Sequence, residues 1–66
     1  MTVSVNGAPR EVGAGTTLGD LIAALGVRRE GIAVARNDDV VARSAIDATP
    51  LADGDTIEII AAVAGG

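Results

Sequence analysis

Apolar and polar residues alternate at the start of the chain, with Val3 and Val5 facing one way and Thr2, Ser4 and Asn6 the other. That two-residue period predicts a half-buried strand. Asn6-Gly7 follows, a dipeptide that tolerates the positive backbone angles of a two-residue hairpin turn, so Pro9 to Val12 should return antiparallel to the first strand. Pro9 has no N–H for a ladder bond, which places this second strand at an edge. Gly13-Ala14-Gly15 breaks the alternation. Thr17 then stands as a helix N-cap with Asp20 three residues on, and Leu18, Leu21, Ile22 and Leu25 fall on one stripe at i, i+3, i+4 and i+7. Gly26 sits where a left-handed C-terminal residue is wanted. A helix of about two turns does not hold itself in water, so the stripe must pack on a sheet.

Alternation resumes from Ile32 to Arg36, with Ile32 and Val34 inward, and predicts a third strand. Asn37, Asp38 and Asp39 form a polar turn before the short apolar pair Val40 and Val41. Ser44 to Pro50 has no clean period and is expected to be irregular. Asp53-Gly54-Asp55 marks another tight turn, and Thr56 to Val63, with Ile57 and Ile59 on one face, is the most strand-like stretch of the chain. The order of elements predicts an α+β fold of the β-grasp type: a mixed five-stranded sheet with one helix packed on one face, its last strand central and parallel to the first. Residues 1–63 would form the domain, and residues 64–66 a tail projecting from it.

With 66 residues the chain is expected to form one domain and no second one. Branched aliphatics are plentiful, while cysteine and histidine are absent. Disulfides and soft-ligand metal sites are therefore not expected, and aliphatic packing must supply the stability. Nine acids oppose five bases, all arginines, for a formal charge of -4. That balance disfavours nucleic acid as a partner and suits steering toward a basic surface on another protein. No apolar run is long enough to span a membrane and no signal segment opens the chain, so a cytoplasmic protein without a membrane partner is expected.

Catalysis by side chains has little to draw on, because histidine, cysteine, lysine and tyrosine are all missing. An enzyme is not expected. The paired carboxylates Asp38 with Asp39 and Asp53 with Asp55 lie in turns, where acids ordinarily face water and local backbone donors. The loop Gly13 to Gly19 resembles a dinucleotide-binding glycine loop only superficially, since its third glycine comes one position late and the parallel crossover such a loop needs is missing. The end of the chain is more informative. Ala64, Gly65 and Gly66 carry no bulky side chain, so this stretch can thread a narrow channel and deliver a terminal carboxylate to a partner's active site. A carboxylate is inert toward sulfur until a partner activates it with ATP as an acyl adenylate, after which a sulfur donor can convert it to a thiocarboxylate. The lack of lysine suits an activated terminus that would otherwise acylate the chain's own amines. Ile60 and Ala62 fall on the strand face opposite Ile57 and Ile59 and form a candidate docking patch beside the tail, unless Val40, Leu51 or nearby loops cover Ile60.

Three stretches resemble the ThiS family of ubiquitin-like sulfur carriers for the thiazole ring of thiamin. They are Val3-Ser4-Val5-Asn6-Gly7, the central Ile32 to Arg43, and Asp53-Gly54-Asp55 through to Ala64-Gly65-Gly66. Ala42 stands where relatives often have proline, and Ile46 where many have an aromatic residue. The resemblance implies that a ubiquitin-activating-like enzyme of the ThiF type adenylates Gly66 and that a cysteine desulfurase or rhodanese relay supplies sulfur. It further implies that a thiazole synthase of the ThiG type takes the sulfur from the Gly66 thiocarboxylate. The chain itself would bind no metal or organic cofactor, ATP being consumed by the partner. Alternatives with the same fold are the small subunit of molybdopterin synthase, a carrier for another sulfur pathway, a protein modifier and an interaction module without acyl chemistry.

Overall fold

The computed structural model describes residues 1–61. Strands β1 (Thr2–Val5) and β2 (Ala8–Glu11) precede helix α1 (Leu18–Leu25); β3 (Ile32–Arg36), β4 (Asp39–Val41), a 3-10 helix (Arg43–Ala48) and β5 (Thr56–Ala61) follow. The expected continuation of the last strand through Ala62 and Val63, and the tail from Ala64 to Gly66, lie outside the described residues. The strands form one sheet in the order β2-β1-β5-β3-β4. As the element order predicts, β5 is central and runs parallel to β1, while its other neighbour, β3, is antiparallel to it.

Both hairpins turn on a pair of residues with positive φ, Asn6 (50°) with Gly7 (86°) and Asn37 (51°) with Asp38 (71°). Such turns match the twist of the flanking strands and fix their register. In β2, Pro9 stands opposite Ser4. Val12 and Met1 exchange hydrogen bonds across the same pair of strands, so in an alternating ladder the Pro9 position faces away from β1. A missing N–H there removes an outward donor from the sheet edge.

Thr17 caps α1 as the sequence indicates: its hydroxyl accepts from the Asp20 N–H, and the Asp20 carboxylate accepts from the Thr17 N–H, each at 3.1 Å. Gly26 ends the helix with φ 71°, a conformation costly for any residue with a Cβ. Leu18, Leu21 and Ile22 are fully buried beneath the helix, joined in the core by Val3, Val34, Ile46, Leu51 and Ile57, while Leu25 packs partly against it. Burial of the three helical side chains alone contributes about 5–9 kcal/mol before chain entropy is counted.

One expectation is corrected. The stretch after Val41 is a 3-10 helix from Arg43 to Ala48 instead of an irregular loop, and it seats Ile46 in the core. Ile46 thereby fills an apolar position with a branched aliphatic side chain. Just beyond it, the Thr49 carbonyl accepts from the Leu18 N–H at 2.8 Å, and Leu51 N–H donates to the Thr16 carbonyl at 3.0 Å. The first of these bonds gives a partner to a first-turn amide of α1 that the helix itself leaves unsatisfied. Arg29 and Asp47 pair across Gly19, whose hydrogen leaves room for the two side chains. Gly19→Ala is expected to push that exposed pair aside yet change stability by less than about 1 kcal/mol, because helix propensity rises as a weak surface pair is lost. A denaturant midpoint checks this, and a larger loss would show that the pair anchors the 3-10 helix.

Candidate functional site

Because β5 lies between β1 and β3, it is held on both flanks as it runs toward the C-terminal end of the chain. Ile57 is fully buried and Ile59 half-buried on the helix side, whereas Thr56, Glu58 and Ile60 point to the other face. Ile60 is 61% exposed. It stands opposite Ala33 of β3, and Ala35 stands opposite both Glu58 and Val40, so Ile60, Ala33, Ala35 and Val40 share the face that α1 leaves open. Val40 is 81% exposed and Leu51 lies in the core, so neither covers Ile60. Ala62, which alternation would put on this same face, is outside the described residues, as are Ala64, Gly65 and Gly66.

Two asparagines brace β5 at opposite ends. At its start, the Asn37 N–H donates to the Thr56 carbonyl at 2.8 Å, and Asn37 Oδ1 accepts from the Thr56 N–H at 2.9 Å. Toward its end, the Asn6 N–H donates to the Ile57 carbonyl at 2.9 Å. The Asn6 carboxamide then reaches Ile59, with Oδ1 accepting from its N–H at 2.8 Å and Nδ2 donating to its carbonyl at 3.2 Å. In each case the side-chain amide takes the place of a peptide group that the turn has carried away from the ladder. A strand-ending asparagine in both hairpin turns was the visible signal for this arrangement, and reading the two residues only as turn formers missed it.

Of the two acid pairs, one is exposed as a turn reading expects and the other has a buried member. Asp38 and Asp39 are exposed. Asp53 accepts from the Thr2 N–H at 2.8 Å, docking its turn onto β1. Asp55 is 5% exposed. Its carboxylate accepts from Ala52 N–H at 2.7 Å, Arg36 Nε at 2.8 Å and Asn37 Nδ2 at 3.0 Å. Burial pushes this carboxyl up. The hydrogen bonds from Asn37, Ala52 and Arg36, with the Arg36 charge, outweigh that effect and hold it below the ordinary aspartate value. The expectation that Asp55 faces water is therefore corrected: it joins the loop before β5 to the end of β3. The glycine loop acts as a plain turn, with Thr16 Oγ1 donating to the Gly13 carbonyl at 2.6 Å.

The comparisons with known proteins fall on this frame. The model of the ThiS family matches residues 3–66. The chain belongs to the ThiS family. A crystal structure of the thiamine biosynthesis protein ThiS from Geobacter metallireducens superposes with a TM-score of 0.86 at 36% identity, covering all of both chains. The sulfur carrier protein ThiS of Thermus thermophilus is 36% identical over 64 residues, which span 97% of this chain and 98% of the relative. A thiazole synthase of Magnetococcus marinus is 41% identical over 66 residues, all of this ThiS-family chain and 20% of that protein. The chain thus spans about a fifth of the length of that relative, and the same holds for a thiazole synthase of Paramagnetospirillum magneticum at 36% identity. Among the described residues, no helix is long and apolar enough to cross a membrane.

Proposed function

We propose that this ThiS-family chain is a sulfur carrier whose reactive group is the carboxylate of Gly66. The family match over residues 3–66, Gly65 and Gly66 included, is the observation that carries this reading. A partner of the ThiF type binds ATP, the Gly66 carboxylate attacks its α-phosphorus, and pyrophosphate leaves. A persulfide on the partner, charged by a cysteine desulfurase or rhodanese relay, then adds through its outer sulfur to the acyl carbon and expels AMP, and a thiol cleaves the resulting acyl disulfide, leaving with the inner sulfur as a disulfide. One carboxylate oxygen departs with the AMP, and a thiocarboxylate remains. The chain supplies reach and the partner supplies catalysis, so the chain is a cosubstrate and not an enzyme, and it holds no cofactor of its own. The setting is the cytoplasm, where ATP and a desulfurase relay are at hand.

Thiazole synthase is the favoured acceptor of the sulfur. Two proteins of that name carry a stretch similar to this whole chain within about a fifth of their length, which supports that route over molybdopterin synthesis. The domain would be residues 1–63, with Ala64 and Gly65 threading the partner's channel. Intact mass spectrometry after incubation with ATP, sulfide and the adenylating enzyme tests the reading. The expected result is the mass increase of one oxygen exchanged for one sulfur at Gly66. An unchanged mass, or stable adducts on other proteins, would overturn it.

Ile60 on the open face, together with Ala62 two positions on in the sequence, is the proposed docking patch for the adenylating enzyme. Ile60→Asp is expected to raise the KM for that partner about tenfold, the loss of one well-packed apolar contact at an interface core. The melting temperature should hold, because Ile60 is already solvent-facing. Unchanged KM would remove the patch from the interface.

A further inference from the structure

At Asn6 the backbone turns away from β1 with φ 50°, while β5 continues to Ala61. From that point, among the described residues, the flank of β5 that faced β1 has no strand beside it. The Asn6 carboxamide occupies the first position along this bare flank and bonds both polar groups of Ile59. On the opposite flank Ile60 stands opposite Ala33, and Ala61 opposite Ile32. Antiparallel pairing alternates, and Asn37 donates to the Thr56 carbonyl, so Glu58 and Ile60 are the residues of β5 whose N–H and C=O groups meet β3. Ile59 turns its own groups the other way, where Asn6 is their partner. A turn of this type does not require the carboxamide, since glycine adopts φ 50° more readily than asparagine does.

We propose that Asn6 is a positioning residue for sulfur loading. By holding the Ile59 peptide on the flank that β1 leaves, it steadies the end of β5 that leads toward Gly66, a role that rests on the carrier reading above. Docking on a partner requires the end of β5 to keep one direction, and every backbone unit held beforehand lowers the entropic cost of binding. Asn6 adds a second hold, on the flank that β1 abandons, to a strand end that β3 holds from the other side through Ile60 and Ala61. Its bonds are exposed to solvent, so their main effect falls on docking and only weakly on folding.

The test compares the native chain, Asn6→Gly and Asn6→Asp in three measurements: melting temperature, amide exchange at Ile59, and steady-state pyrophosphate release with the ThiF-type enzyme and ATP. Asn6→Gly keeps the turn and deletes the carboxamide. Its Ile59 amide is expected to exchange at least about tenfold faster while those of Glu58 and Ile60 keep their protection. KM for the carrier should rise about fivefold with kcat held, because an ordering cost moved from folding to binding weighs on the bound ground and transition states alike and appears in KM. Asn6→Asp retains the acceptor for the Ile59 N–H and loses the donor, so it should fall between the two and carries the comparison if Asn6→Gly does not fold. Loss of stability alone would lower melting and leave KM unchanged. A folded variant with a deprotected Ile59 amide and native KM overturns the proposal, and so does retained protection at Ile59. Failure of the native chain to acquire sulfur overturns the carrier reading as well, and it appears before any variant is compared.

Discussion

Deleting Gly66 is expected to abolish sulfur loading while leaving the fold intact. The shortened chain still ends in glycine, but its terminal carboxylate stands about 3.5 Å short of the position the activating enzyme requires. Displacement of a reacting atom by even about 1 Å can cost a hundredfold in rate, so a loss of at least about that size is expected in the adenylation step. Pyrophosphate release and intact mass report it directly. The core and the five paired strands lie within residues 1–61, so thermal melting should match that of the native chain. Retention of loading within a few-fold would show that the reacting carbonyl is not that of Gly66.

The largest expected effect on stability is at Asp55. Asp55→Asn retains one acceptor oxygen, and its N–H₂ replaces either Oδ1, facing the Asn37 Nδ2 donor, or Oδ2, facing the Arg36 Nε and Ala52 N–H donors. Leaving donors unmatched in a nearly buried cluster costs about 2–3 kcal/mol. For a domain of this size that corresponds to a fall of about 10–20 °C in melting temperature. The acid limb should change too. Asp55 is held below its ordinary value in the folded chain, so its stabilising contribution is complete above the unfolded-state pKa of about 3.9 and is lost as pH falls through the folded value. Native stability should therefore decline below about pH 4, whereas Asp55→Asn should start lower at neutral pH and have a flatter acid limb. Urea unfolding between neutral pH and pH 2 measures both. Parallel acid limbs in the two proteins would mean that the Asp55 cluster does not couple protonation to folding.

Local chemistry made most of the architecture legible. Asn6-Gly7, the Thr17 and Asp20 capping box, the Leu18, Leu21 and Ile22 stripe and Gly26 each act through neighbours within four residues, and each does what its spacing indicates. The central place of the last strand followed from element order. What stayed hidden is non-local or short-period. Asp55 meets Arg36 and Asn37 across 19 and 18 residues of chain, so nothing near Asp53-Gly54-Asp55 shows that one of its acids is buried and the other docks a turn. The 3-10 helix at Arg43–Ala48 has six residues, too few for a three-residue period to stand out, and it contributes a single core residue, Ile46. The exposure of Ile60 was undecided between open face and loop cover until the position of Leu51 in the core was known.

The location of β5 has a mechanical corollary. Traction exerted on the C-terminal end by a partner enters a strand gripped by β1 on one flank and β3 on the other. Force along the strand axis loads both ladders in shear, where many bonds must yield together, whereas an edge strand peeled from its sheet gives way one bond at a time. Under the proposed threading of the chain end through a partner's cleft, this placement protects the described sheet from unravelling as that end is pulled.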